Sequence, residues 1–320
     1  MTEHAATPVP RSPARLEEAL DLLAQPHWLP LAGGTDVFPA HVGRPMSRPL
    51  LDLSRLESLR GSARSVDAAG RAWWRLGALE TWSALRDAAL PAGFEALPQA
   101  ALEVGGRQIQ NQGTIGGNLC NASPAADGVP VLLALDAEVE LQSLRGTRRL
   151  PVSEFVLGNR HTALEAGELL TAVLVPIGSP RARSQFLKLG HRRYLVISIA
   201  MVAVGVDSDE QGRIERCAIA VGACSAAARR LSQLERRLTG TPRNQAARQA
   251  ADWLAGPDAA ALLSPLSPID DVRGTAGYRR DAVRELIGRA IAMACGDAAP
   301  IRETARSEEH TSELQSRVDI

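Results

Sequence analysis

The run Gln112-Gly113-Thr114-Ile115-Gly116-Gly117-Asn118-Leu119-Cys120-Asn121-Ala122-Ser123-Pro124-Ala125-Ala126-Asp127 carries more information than any other part of the chain. It is dense in short polar donors, with three glycines, two asparagines, a threonine and a serine, and has little regular pattern. Its composition predicts a long loop over residues 108–127 inside an otherwise compact region, and such loops are usually functional or disordered. Ile115 and Leu119 interleave the polar residues and would anchor the loop from inside, so a solvated Ω-loop fits less well. Asp127, at its end, is placed to accept from ribose hydroxyls. Asn121-Ala122-Ser123 also spells a glycosylation sequon, a coincidence in a chain without a visible secretory signal.

A second glycine cluster lies upstream, Leu31-Ala32-Gly33-Gly34-Thr35-Asp36, entered from a strand predicted over residues 28–31. Adjacent glycines let backbone N–H groups converge into a nest that holds phosphate oxygens without a charged side chain. Thr35 adds a hydroxyl, and Asp36 is placed to cap the helical turn that follows. Alone, the cluster reads more readily as an ordinary glycine turn between strand and helix. Two nests facing each other would grip both phosphates of a dinucleotide. Neither forms G-x-G-x-x-G, so a nicotinamide-type Rossmann site is disfavoured.

Composition narrows the field further. The 320 residues carry 36 basic and 36 acidic side chains, and zero net charge argues against nucleic acid or an anionic membrane as partner. Aromatics at 3% make base-stacking platforms improbable. Of the basic residues 35 are arginine and one is lysine, Lys188, with no glycine-rich turn before it, which removes a Walker A loop. The longest apolar stretch, residues 195–206, is far short of a membrane span. Cys120, Cys217, Cys224 and Cys295 are scattered, a spacing for neither zinc nor a cysteine-ligated cluster, and suit a cytoplasmic protein with reduced thiols. No G-x-S-x-G, H-E-x-x-H or carboxylate pair appears, so no catalytic side chain and no metal ligand is predicted. Such a chain fits chemistry carried by a cofactor.

Along the chain, Ser12-Pro13 reads as the cap of a helix bearing Leu16, Ala19, Leu20 and Leu23. Strands are expected at residues 50–53, 73–76, 139–141 and 169–175, with helices at 81–89, 94–104 and 131–135. Composition shifts to Gly, Ser, Pro and Arg around residues 176–183, a domain boundary. Beyond it strands are predicted at 185–189, 195–206 and 214–221, then helices at 226–238, 244–255 and 281–294. Strands followed by helices, without strict alternation, give an α+β fold. Residues 297–320 read as a disordered tail, of which 306–320 resembles translated sequencing-adapter sequence, foreign to the natural protein.

Two charged segments stay open on chemistry alone. Lys188-Leu189-Gly190-His191-Arg192-Arg193 either sets a cation at the rim of a flavin or is a solvated cluster ending a strand. Asp271-Val272-Arg273-Gly274-Thr275-Ala276-Gly277-Tyr278-Arg279-Arg280 is a helix cap plus basic surface, or a face toward a partner subunit.

These segments, in this order from about residue 14 to 294, resemble the FAD-binding medium subunit of the xanthine dehydrogenase and carbon monoxide dehydrogenase family of molybdenum hydroxylases. The resemblance implies an N-terminal FAD-binding domain of the vanillyl-alcohol-oxidase (PCMH) type, two-lobed, over residues 1–177. A smaller α+β C-terminal domain over residues 184–296 would follow. Carried onto this sequence, Ala32, Gly33, Gly34, Thr35 and Asp36, with Thr114, Ile115, Gly116, Gly117 and Asn118, would bind the pyrophosphate of a non-covalent FAD. Asp127 would meet the adenosine ribose, Val104 and Leu169 would line apolar parts, and Lys188 would approach the flavin. Many relatives carry arginine where Gln110 stands, which touches only the edge of this grip. No cysteine-bearing insertion of the benzoyl-CoA-reducing relatives is present.

The implied function is electron transfer. A large subunit would hold molybdopterin, a small subunit two 2Fe–2S clusters, and electrons would pass through FAD to NAD or another acceptor. Two alternatives carry different partners: a free-standing flavin oxidase acting directly on a small substrate, and a non-catalytic nucleotide-binding module.

Overall fold

The structure, a computed structural model, describes residues 9–192 and 196–296. The predicted tail, Arg193 and Leu195 lie outside the described residues. Strands β1 (Leu29–Leu31) and β2 (Leu50–Asp52) pair in parallel, and helix Leu16–Leu23 packs its Ala19, Leu20 and Leu23 face onto them. Leu51, Leu56, Leu59 and Leu79 complete this small lobe's core. Ser12 does not cap the helix. Arg11 pairs with Leu51 beside β2, and the Ser12 hydroxyl donates to Asp52 at 3.2 Å, so this segment extends the sheet edge.

The second lobe is an antiparallel sheet, ordered β3-β4-β9-β5-β6. Its strands are β3 (Ser62–Val66), β4 (Ala72–Gly77), β5 (Glu138–Ser143), β6 (Gly146–Pro151) and β9 (Leu169–Pro176). A short hairpin that alternation does not reveal, β7 (Val156–Gly158) and β8 (His161–Thr162), precedes β9. Leu76 and Val139 both lie opposite Val173, which puts one face of the sheet in the core, as period-two patterning requires.

Residues 108–127 are not a loop. Helices Arg107–Gln112 and Ile115–Asn121 occupy most of the span, and Gly128–Ala134 follows. The Thr114 Oγ caps the second by accepting from the Gly117 N–H at 3.0 Å. The N–H groups of Ile115 and Gly116 donate to the Glu80 and Ala78 carbonyls at 3.0 and 2.9 Å. A Cβ at Gly116 would stand 2.6 Å from the Ala78 oxygen, and one at Gly128 would stand 2.5 Å from the Trp82 ring. Glycines that lower local helix propensity are here what lets the helices approach β4 and Trp82.

After the boundary segment come β10 (Arg183–Leu189), β11 (Ala200–Ser208), β12 (Ile214–Gly222) and β13 (Arg229–Arg230), one antiparallel sheet in that order. Helices Ser232–Leu238, Arg243–Ala255 and Ala276–Cys295 cover one face, with Val202, Val204, Ile219, Leu234, Ala250 and Ile287 between the layers. The strand expected from residue 195 starts at Ala200, and the helix expected from 226 starts at Ser232, because Arg229 and Arg230 pair with β12. The last helix begins five residues early, since the Thr275 hydroxyl accepts from the Tyr278 N–H. Arg279, expected on a basic surface, is instead buried. Its guanidinium donates to the Ile199 and Ala223 carbonyls and to Asp271 at 2.6 Å, tying the helix to the sheet.

The other face of this sheet meets the first domain in one continuous core. Met201, Ala203, Ala218 and Ala220 pack in the same cluster as Leu119, Leu132 and Val173. Side chains of helix Ala96–Glu103 and its leading residue close the open edge of β10. The Ser184 and Phe186 N–H groups donate to Glu95 and Gln99 at 2.9 and 2.7 Å, and Lys188 Nζ donates to the Glu103 carbonyl at 3.0 Å. Helix Gly128–Ala134 is gripped at its C-terminus by Arg216 and Arg230, which donate to the Ala134 and Leu133 carbonyls at 2.7 and 2.8 Å.

Candidate functional site

A cleft of about 460 Å³ opens where the two lobes of the first domain meet, within the range of small-molecule and cofactor sites. The strand β1 delivers the chain directly into Ala32-Gly33-Gly34-Thr35-Asp36, all five of which line it. Gly34 takes φ +70°, a left-handed turn that glycine adopts without strain. A Cβ on Gly33 would lie 1.8 Å from the Gln112 carbonyl oxygen, so the two glycine segments touch backbone to backbone. Among the described residues, the N–H groups of Gly33, Gly34, Thr35 and Asp36 have no acceptor. Four successive free donors at one turn form a nest for an anion.

The second glycine segment contributes differently from expectation. Thr114, Gly116, Gly117 and Asn118 line the cleft, but Ile115 is turned into the core and wholly buried. The N–H groups of residues 115–118 already donate within the protein, to Glu80, Ala78, the Thr114 hydroxyl and the Thr114 carbonyl. This segment is therefore no second nest. It offers a wall free of Cβ at Gly116 and Gly117, the Thr114 hydroxyl proton, and the Asn118 side chain. Asn118 Oδ1 is buried with no hydrogen-bond partner, an acceptor that costs free energy until a donor reaches it.

Asp36 does not cap the turn after it. Its backbone is in the helical region (φ −108°, ψ −34°), whereas a capping side chain needs an extended one. Val104 and Leu169 line the cleft, joined by residues the sequence did not single out: Leu79, Trp82, Ile109, Leu164 and Glu168. Trp82 follows the Thr81 cap, whose hydroxyl accepts from Ala84, and that was its one legible signal. Glu168 stands directly before Leu169. Its carboxylate receives Arg148 Nε and Nη2 at 2.6 and 2.8 Å and the Glu165 N–H at 2.8 Å. Those hydrogen bonds hold its pKa below the usual glutamate range despite burial.

Asp127 and Lys188 do not line the cleft. They face each other, Lys188 Nζ to Asp127 Oδ2 at 2.8 Å, with side chains 5% and 8% exposed respectively. The Ser198 hydroxyl donates to the other Asp127 oxygen at 2.9 Å. Burial pushes the Asp127 carboxyl up, and Lys188 and Ser198 offset this only in part. The pair bridges the two domains, and Lys188 also fixes the carbonyl of Glu103, the residue before Val104. Among the described residues no group of three His, Cys, Asp or Glu could hold a metal, and no helix is long and apolar enough to cross a membrane.

The donor set suits an elongated cofactor with a diphosphate, such as FAD. Free amides await an anion, glycines admit it to backbone distance, and apolar walls at Val104, Ile109 and Leu169 flank it. The orphaned Asn118 oxygen awaits an N–H or O–H.

Comparison with known proteins converges on the same group. Residues 11–178 match the family model of the FAD binding domain in molybdopterin dehydrogenase, and residues 185–294 match the CO dehydrogenase flavoprotein C-terminal domain. The chain is 33% identical over 243 residues to the nicotinate dehydrogenase FAD-subunit of Eubacterium barkeri, covering 72% of this chain and 79% of that protein. It is also 33% identical over 280 residues to the 6-hydroxypseudooxynicotine dehydrogenase complex subunit alpha of Paenarthrobacter nicotinovorans, covering 86% and 89%. Among solved structures, reconstituted CO dehydrogenase from Oligotropha carboxidovorans superposes with a TM-score of 0.80 at 26% identity, covering 92% of this chain and 99% of that one. Nest, cleft and two-domain order together carry the assignment: the chain belongs to the family of FAD-binding medium subunits of the xanthine and CO dehydrogenases, an oxidoreductase flavoprotein family.

Proposed function

We propose that this chain is the FAD-carrying electron-transfer subunit of a molybdenum hydroxylase, working with a molybdopterin-binding large subunit and a small subunit holding 2Fe–2S clusters. In this role electrons from the clusters would pass through FAD to NAD or another acceptor. The observation that carries this reading is the nest at Gly33–Asp36, with four unpaired amides against the bare backbone of the second glycine segment. Relatives named as a dehydrogenase FAD-subunit and a hydroxylase medium subunit support it.

Bound FAD supplies a carrier able to take up electrons singly and release them in pairs. The chain's own residues bind and orient it. The amides of Gly33, Gly34, Thr35 and Asp36 would donate to the diphosphate, and Thr114 and Asn118 would add to the grip. Val104, Ile109, Leu164 and Leu169 exclude water from the walls. Asp127 and Lys188 serve from behind, by fixing the backbone that presents Val104. The four cysteines, which form no disulfide among the described residues, suit a reducing compartment such as the cytoplasm.

The test is direct. Purified chain titrated with FAD should quench flavin fluorescence with saturable one-to-one stoichiometry. When mixed with its two partner subunits and the complex's substrate, it should be bleached at the flavin absorbance band. Failure to bind FAD at saturating concentration would end the proposal. Bleaching by substrate without the partners would replace it with a free-standing oxidase.

A further inference from the structure

Glu168 poses a problem for a cleft built to receive an anionic dinucleotide. A carboxylate in its wall would repel diphosphate unless neutralised, and its side chain is only 4% exposed. Arg148 supplies the neutralisation in bidentate geometry, with both contacts below 3 Å. An ionised carboxylate offers about four lone-pair sites. Arg148 takes two and the Glu165 amide a third, which leaves one acceptor site on the buried carboxylate of a residue that lines the cleft. Pinning the 163–168 segment does not require that arrangement. Arg148 already holds it through the Ala163 carbonyl at 2.9 Å, and Arg145 through the Ala166 carbonyl at 3.1 Å.

Resting on the FAD reading above, we propose that Glu168 is a recognition residue of the cleft, its remaining lone pair accepting one N–H or O–H of the bound cofactor. Arg148 is its positioning residue. The donor belongs to one half of the cofactor only, either the adenosine amino and sugar hydroxyl groups or the ring N–H and chain hydroxyls of the flavin half. A single directed acceptor tells these halves apart, whereas a loop pin would not.

The experiment measures FAD affinity by fluorescence quenching, and ADP and FMN affinity by competition against FAD, for wild type, Glu168→Gln and Arg148→Met. A lost hydrogen bond to a charged acceptor corresponds to FAD binding about 10- to 150-fold weaker in Glu168→Gln. The same factor should appear for ADP or for FMN, and not for both. Loss shared by ADP alone places the donor in the adenosine half, and loss shared by FMN alone places it in the flavin half. Unchanged FAD affinity overturns the proposal, as does equal weakening of all three ligands, which is the signature of a loosened wall. Arg148→Met supplies that signature for comparison. Glu168→Asp, which keeps the charge but withdraws it by one methylene, serves if Glu168→Gln does not fold and is judged by the same split. Wild-type protein that binds no FAD refutes the underlying reading instead.

Discussion

Adding one methyl group at Gly33 tests the site more sharply than removing any side chain from it. In Gly33→Ala the new Cβ would sit 1.8 Å from the Gln112 carbonyl oxygen, 2.6 Å from its carbon and 3.0 Å from Gly113 Cα. All three are backbone atoms, so no rotamer relieves the contact. Ordinary van der Waals distance begins near 3.4 Å, so the two segments must part by about 1.6 Å. Gln112 cannot yield alone: Gly113 accepts from the Trp82 N–H at 3.1 Å, and Ile115 donates to Glu80 at 3.0 Å. A shift of that size breaks the first of these. The expected loss of stability is about 1–3 kcal/mol for overpacking, with about 1 kcal/mol more for the broken hydrogen bond. Parting the walls also costs at least one amide–phosphate contact, which weakens FAD binding by about 10- to 150-fold. Chemical denaturation and flavin fluorescence titration read the two effects separately. Gly117→Ala is the graded control, because its Cβ would meet one side-chain atom, the Thr114 hydroxyl at 2.9 Å, whose displacement costs the helix cap but moves no backbone. Equal behaviour of the two variants, or wild-type affinity in Gly33→Ala, would refute the backbone-contact reasoning.

Other outcomes follow from the same geometry. Lys188→Met strands the Asp127 carboxylate in a nearly buried site and should lower stability by about 3–5 kcal/mol in urea titration, with Lys188→Arg retaining part of the loss. An unchanged midpoint in Lys188→Met would show that the pair contributes nothing. Glu168 has a folded pKa below its ordinary value of 4.5, so its ion pair contributes fully above that value and fades as pH falls through the lower folded one. Wild type should therefore lose melting temperature on acidification more steeply than Glu168→Gln, and parallel curves would contradict this. In helix Ala276–Cys295 a Cβ at Gly288 would meet nothing within 4 Å, so Gly288→Ala should raise stability by about 0.5–1 kcal/mol, visible as a higher melting temperature.

Much of the fold was legible because it is local. Thr81 before Trp82 and alternation around Val139 and Val173 depend on near neighbours, and those elements form where the pattern puts them. The glycine-rich run at residues 112–127 misled for the opposite reason. Its helices are stabilised by partners far off in sequence, the Ala78 and Glu80 carbonyls and the Trp82 ring, which no window of sequence contains. The first glycine cluster was readable from its residues and Val104 and Leu169 only through the family resemblance, whereas Glu168 was not, since its partner Arg148 lies far from it in sequence. Lys188 was conspicuous as the sole lysine, yet its role at the domain junction depends on Asp127 and Glu103, which only folding brings to it.

The closure of the β10 edge by a helix has a consequence in commensurability. Donors on the strand recur every two residues, a step of about 6.6 Å, and the helix presents acceptors every four, a step of about 6.0 Å. The two rulers agree at Glu95 with Ser184 and nearly agree at Gln99 with Phe186. By Glu103 they have drifted apart by about 1.2 Å. There the strand backbone gives way to the long arm of Lys188, which spans the discrepancy. The junction is thus a vernier of limited length. It admits no single-residue insertion in either element, since one added residue shifts every later rung by a quarter of the helix step and turns the strand's donors to the opposite edge.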